Sequence, residues 1–160
     1  KKEISNLQNT KATADVIDFV SHDHGGYLFI LEGNVLVKSE SLEIVCSKME
    51  IRVESDQNQT ENSSARITEM NATGNVKMKQ SGRICEADNI TLDTVGGYGL
   101  LVGNARVQDD EWGIVTGERV ELDKTSGRAR VIGTGVTKPR LELPDVGKIS
   151  LPGLRKSKKN

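Results

Sequence analysis

The stretch LVGNARVQD, residues 101–109, decides how the rest of the chain reads. Apolar and polar side chains alternate through it with period two, the pattern of a half-buried strand, yet a glycine and an asparagine interrupt the run. The same Gly-Asn-apolar signature stands in LEGNVLVKS (31–39) and ATGNVKMKQ (72–80). Glycine inside a strand marks a bend or a close backbone approach. Strands bent at one recurring place are copies of a unit, and a repeat dictates architecture.

Each copy has a second element ahead of its glycine: TADVIDF (13–19), VCSKMEI (45–51), EADNITL (86–92) and VTGERVEL (115–122). These align on a small residue, Ala14, Cys46, Ala87 or Gly117, and the glycines that follow are Gly33, Gly74, Gly103 and, in a degraded copy, Gly133. The small residue and the glycine lie 16 positions apart in the last two copies and further apart in the first two. In the second copy the excess falls in the polar, aperiodic segment 54–66, read as an inserted loop. Turn signals such as KQSGR (79–83), DTVGG (93–97) and DKTSG (123–127) separate the runs, and no amphipathic helix pattern is present. The chain therefore reads as one all-β domain, 11–143, between a flexible N-terminus, 1–10, and a flexible basic tail, 144–160.

The phase of the alternation slips once per copy. In ICEADNITL (84–92), Cys85 and Ala87 share a face, while Ile90 and Leu92 are offset by one residue. An extra residue at Asp88 and Asn89 restores the face, as a β-bulge does, and the same offset follows Cys46 at Lys48 and Gly117 at Glu118 and Arg119. Repeated bulges curve the sheet, and stacked asparagines at the Gly-Asn corners are expected to hydrogen-bond between copies.

With the slip corrected, one inward stripe emerges: Ala12, Ala14, Ile17, Phe19, Val35, Val37, Ile44, Cys46, Met49, Ile51, Val76, Met78, Ile90, Leu92, Leu101, Ala105, Val107, Val115, Val120, Leu122 and Val131. Aromatics are only 3% of the chain, so this interior is aliphatic. Its plain reading is a closed core. The strands at the two ends, 12–19 and 128–137, are sheet edges, able to pair with another chain; in the alternative, 138–147 folds over the last edge.

Other features exclude functions. With 22 Lys+Arg against 23 Asp+Glu the chain lacks the basic excess of a nucleic-acid binder. His22, Asp23 and His24 sit in a polar turn without a further ligand, so no metal and no cofactor are expected. No nucleophile elbow, triad, Walker loop or dinucleotide fingerprint is present, and the acidic residues do not register across copies as a carbohydrate-cleaving β-helix needs. Trp112 reads as a cap on the core, and the glycosylation-like triplets at Asn58, Asn62, Asn71 and Asn89 as chance. Cys46 and Cys85 both point inward, which leaves a disulfide and a pair of reduced core thiols open.

The ordered copies of Ala-Asp-x-Ile followed by Leu-x-Gly-Asn-Val-x-Val resemble the LptA/OstA-like family of lipopolysaccharide transport proteins over nearly all of 11–143. The departures are Cys46 and Ser47 for Ala-Asp, Gly117 and Glu118 in the last copy, and no Asn after Gly133. The resemblance implies an open β-jellyroll, a V-shaped stack of antiparallel strands built from about four repeats. It implies a periplasmic location, with a signal peptide removed or trimmed from a chain that starts at Lys1 without Met. The implied ligand is lipopolysaccharide, its lipid A acyl chains shielded by Ala14, Ile17, Phe19, Val35, Val37, Ile44, Ile51, Val76, Met78, Ile90, Leu92, Leu101, Val107, Val120 and Leu122. The implied partners are inner-membrane and outer-membrane export components that share the fold, joined edge to edge, with a head-to-tail homo-oligomer as a further form. The basic tail (Arg155, Lys156, Lys158, Lys159) reads as a solubilising end or as a contact for lipid phosphates. The rival function is a polymerising β-solenoid scaffold that binds no lipid.

Overall fold

The computed structural model describes residues 10–23, 25–55, 65–145 and 147. His24, residues 1–9, the inserted segment at 56–64 and the basic tail lie outside the described residues. Ten strands, and no helix among the described residues, form one sheet: β1 (Thr10–Thr13), β2 (Val16–Ser21), β3 (Gly26–Ser39), β4 (Leu42–Ser55), β5 (Ala65–Gln80), β6 (Arg83–Asp93), β7 (Tyr98–Asp109), β8 (Gly113–Asp123), β9 (Arg128–Ile132) and β10 (Arg140–Glu142). From β3 to β8 each strand pairs antiparallel with the next in sequence. At one end β1 and β2 pair with the two halves of β3; at the other, β10 and β9 pair with the two halves of β8. The sheet thus has eight layers, the first and the last each broken in the middle.

The corner explains the repeat. Glu32 faces Lys48 and Val35 faces Cys46, so Gly33 and Asn34 together stand opposite the single residue Ser47. Gly74 and Asn75 oppose Asp88 in the same way, and Gly103 and Asn104 oppose Glu118. The extra residue expected at Asp88 and Asn89, at Lys48 and at Glu118 and Arg119 is therefore carried by the facing Gly-Asn strand. The reason lies in the backbone: both corner residues are left-handed, with φ of 86° at Gly103 and 49° at Asn104, a conformation that glycine and asparagine tolerate best.

Nor do the corner asparagines stack on one another. Asn34 Nδ2 donates to Asp15 Oδ2 at 2.9 Å and Asn104 Nδ2 to Asp88 Oδ2 at 3.3 Å. Asp15 lies across Gly33 and Asp88 across Gly103, each on the strand that follows, and Ser47 takes the same place across Gly74. A Cβ on Gly103 would come within 2.8 Å of Asp88 Cβ, and one on Gly74 within 2.7 Å of Ser47 Cβ. The Ala-Asp and Gly-Asn signatures are two halves of one contact.

Turns close the strands with a recurring device. Asp93 Oδ1 accepts the N–H of Val95 and Gly96, Asp109 Oδ1 that of Glu111, and Asp123 Oδ1 those of Thr125 and Ser126. The last layer departs from expectation: 128–137 is not one strand. It stops at Ile132, residues 133–139 make an excursion, and β10 resumes pairing with β8 at Arg140. Thr134 Oγ1 accepts the N–H of Val136 and Thr137 inside that excursion. So 138–147 in part extends the last layer through β10.

Candidate functional site

Most of the expected stripe forms one buried cluster. Val35 and Val37 on β3, Ile44 and Ile51 on β4, Val76 and Met78 on β5, Ile90 on β6, Leu101 and Val107 on β7 and Val120 on β8 are all buried. Ala14, Leu92 and Leu122 are partly buried against them. Along a single strand, Ile44 and Cys46 precede the corner, Met49 and Ile51 follow it, and all four join the same cluster. A residue on the inner face of one sheet cannot reach 0% exposure, as Val35, Met49 and Leu101 do, unless something covers that face. The only cover among the described residues is the other arm of the bent sheet. Corners every second strand fold the sheet onto itself, and aliphatic side chains fill the space between. Sequence reading missed Leu31, Met70 and Ala72, which are equally buried; their alternation with Val35 and with Val76 was the available signal.

The interior is nearly free of polar groups: the only buried polar side chain among the described residues is Thr68, which donates to the Arg52 carbonyl at 3.4 Å. Charges stay on the outer face as cross-strand pairs, such as Glu86 between Lys77 at 3.9 Å and Arg106 at 3.8 Å. Trp112 packs partly buried against the cluster. Cys46 and Cys85 are free thiols. They sit on β4 and β6 with β5 between them, and Cys85 lies level with Ile44, not Cys46, so two strand spacings of about 5 Å each and a two-residue offset put them beyond the reach of a disulfide. Desolvation pushes the Cys85 thiol up to about 11, against a small opposing pull from Arg83. Burial likewise raises Cys46, whose Sγ donates to the Lys48 carbonyl at 3.3 Å. Both thiols are therefore protonated, apolar fillers near neutral pH.

The stripe runs out at the first edge. Ile17 and Phe19, expected in the lining, are 48% and 66% exposed, because β2 has a neighbour on only one side. Phe19 stacks on Phe29 at 5.8 Å between ring centroids, which continues the apolar surface to the edge. Val16 and Val20 on the opposite face of β2 are 52% exposed each. At the other end Leu141 is 57% exposed, Val131 is partly buried, and the flanking Arg128, Arg130 and Arg140 are exposed.

A family model described as "LptA/(LptD N-terminal domain) LPS transport protein" matches residues 18–128. Among solved structures, the chain resembles LptH from Pseudomonas aeruginosa, described as the LptA homologous periplasmic component of a lipopolysaccharide transport device. That match has 16% identity and a TM-score of 0.60, and it covers 84% of this chain and 91% of that one. No individual curated protein matches the chain by sequence. The solved-structure match establishes a common all-β jellyroll architecture.

Proposed function

The chain belongs to the LptA/LptD N-terminal-domain family of lipopolysaccharide transport proteins, and from that premise we propose that it is a periplasmic carrier of lipopolysaccharide. The observation that carries this reading is the uninterrupted apolar interior, crossing every strand from β3 to β8 with Thr68 as its only buried polar residue among those described. An acyl chain of about fourteen carbons left in water costs on the order of 10 kcal/mol at ~0.8 kcal/mol per methylene. A carrier therefore has to offer an apolar path along its whole length, and the packed interior runs from Ala14 at the first edge to Val120 and Leu122 near the last, with the exposed Ile17 and Phe19 beyond it on the edge strand. The two arms touch through side chains alone, so chains enter by prising the arms apart and replacing arm-to-arm packing with acyl-to-arm packing. The sugar and phosphate head stays in water between the rows of turns.

The exposed edges supply the bridging role. The first and last layers have unpaired backbone on their outer sides, and edges of related jellyrolls in inner-membrane and outer-membrane export components extend the sheet there, so that the apolar interior becomes continuous between them. One observation favours the rival scaffold reading: the interior is filled by its own side chains, with nine large ones, Leu31 and Leu101 among them, under 2% exposed.

One titration decides between the two. The protein is loaded with a fluorescent fatty-acid probe and titrated with intact lipopolysaccharide and, separately, with the delipidated polysaccharide. Saturable displacement by the first alone, weakened in the near-isosteric Val107→Thr variant, supports a carrier; absence of probe binding and of displacement from folded protein sinks it in favour of the scaffold.

A further inference from the structure

The turns that join β3 to β4, β5 to β6 and β7 to β8 stand side by side at the end of one arm of the sheet. They leave two gaps between them, and the gaps are unlike. The second is bridged: Asp110 N–H donates to the Gly82 carbonyl at 3.1 Å, and Arg83 Nε donates to Asp109 Oδ2 at 3.1 Å. The first, between 39–42 and 80–83, stays open as a cleft of about 350 Å³. No ion pair among the described residues crosses it.

This cleft opens onto the apolar interior. Leu42 faces Gln80 and Gln80 faces Arg83; two residues further in along the same face, Ile44 faces Met78 and Met78 faces Cys85. Leu42 itself packs against the buried cluster. An acyl chain lying along Ile44 and Met78 therefore delivers its head group here.

The walls are polar and balanced in charge, with three basic residues (Lys38, Lys79 and Arg83) and three acidic ones (Glu40, Glu43 and Asp110). Glu43 faces Lys38 on one side and Lys79 on the other, yet none of the three takes part in an ion pair among the described residues. The backbone singles out the same place. Ser81, with φ of 49°, is the only left-handed residue among those described that is neither glycine nor asparagine. A two-residue hairpin turn prefers asparagine or glycine there, and residues held against such a preference cluster at binding sites. Serine in its stead sets a small hydroxyl in the cleft wall.

Resting on the carrier reading above, we infer that this cleft is a head-group subsite and that the group it takes is a pyranose ring, not a phosphate. A phosphate would meet as many carboxylates as cations, and Arg83 is already engaged by Asp109. A sugar hydroxyl donates and accepts at once, so facing carboxylates and ammonium groups both serve it. The volume falls at the small end of the range of about 300–1,000 Å³ that small ligands occupy, in keeping with a short stretch of sugar rather than a long glycan.

Amide NMR spectra of isotope-labelled, lipid-free protein test the cleft directly. Titration with the delipidated polysaccharide is expected to shift the amides of Ser41, Ser81 and Gly82 saturably, while inorganic phosphate at matched ionic strength leaves them in place. Ser81→Gly keeps the left-handed backbone and Glu43→Gln keeps the side-chain size. Each is expected to weaken the sugar response and to lower affinity for intact lipopolysaccharide about three- to tenfold, the worth of one hydrogen bond, with the loss absent from binding of the fatty-acid probe. Saturable shifts with phosphate in place of sugar overturn the ligand class, and no shift with either overturns the site. Shifts with sugar, but unchanged affinity of both variants for intact lipopolysaccharide, assign the cleft to free glycan and overturn its part in carriage. Failure of the fatty-acid probe to bind folded protein sinks the carrier reading and the head-group role with it, whereas the sugar titration reads the cleft's ligand independently.

Discussion

Leu101→Ala separates a closed core from an interior that opens. Leu101 lies on β7 between Ile90 of β6 and Val120 of β8 and is 0% exposed, so its truncation leaves a cavity that the flanking strands cannot close. Such truncations cost about 2–5 kcal/mol. With a shift of about 2–4 °C per kcal/mol in a chain of this size, a cost near 3 kcal/mol lowers the Tm of the lipid-free protein by roughly 6–12 °C. In a carrier the lipid-bound state has already exchanged arm-to-arm contacts for acyl-chain contacts, and a flexible chain fills the gap that Leu101 leaves. The truncation then penalises the free state more than the bound one. If the difference is ~1.4 kcal/mol, lipopolysaccharide binds the variant about tenfold more tightly, and saturating lipid recovers part of the lost Tm. Melting with and without lipid, together with probe displacement on both proteins, measures both quantities. Equal or weaker binding by a variant that melts 6 °C or more lower would refute the idea that acyl chains enter between the arms.

The corner supplies a second comparison: Gly103→Ala meets both a φ of 86° and the Asp88 side chain, whereas Gly127→Ala meets a φ of 70° with nothing within 4 Å. Chemical denaturation is expected to show about 1 kcal/mol lost at Gly127 and about 1–2 kcal/mol more at Gly103, with Asp88→Ala relieving part of the excess; equal losses would contradict the close-approach account. The thiols of Cys46 and Cys85 should resist a disulfide reagent at pH 8 in folded protein and react at once in denaturant, because burial raises both pKa values, Cys85 to about 11; rapid native labelling would mean the interior breathes far more than the packing implies. Asp109 is held below the usual carboxylate range by the N–H of Glu111 first, against an opposing desolvation, with Arg83 at 3.1 Å adding to the lowering. Its stabilising contribution is therefore full above the unfolded carboxylate pKa near 4 and is lost as pH falls through the lower folded value. The stability gap between wild type and Asp109→Asn should shrink below pH 4, and a gap that stays constant down to pH 2 would assign the effect to something other than ionisation.

Period two in β3 to β8, the turn aspartates and the recurring small-Asp and Gly-Asn pairs were legible in the order of residues alone, because each is a local property of the backbone. A strand shows its buried face by alternation, and a left-handed corner admits little besides glycine and asparagine. Those signals were enough for the all-β class, the repeat and most of the inward stripe from Val35 to Val120. Three things came from the folded sheet. Which strand carries the extra residue depends on register between strands, and the same phase slip at Asp88 is compatible with either partner. Whether Ile17 and Phe19 are covered depends on whether β2 has a second neighbour, and alternation is identical for an edge strand and a central one. The break of the last layer at Ile132, with pairing resumed at Arg140, depends on how far a loop can leave a sheet and return to it. Local chemistry sets conformation residue by residue, whereas coverage and register arise only when distant segments compete for the same edge and the same apolar face.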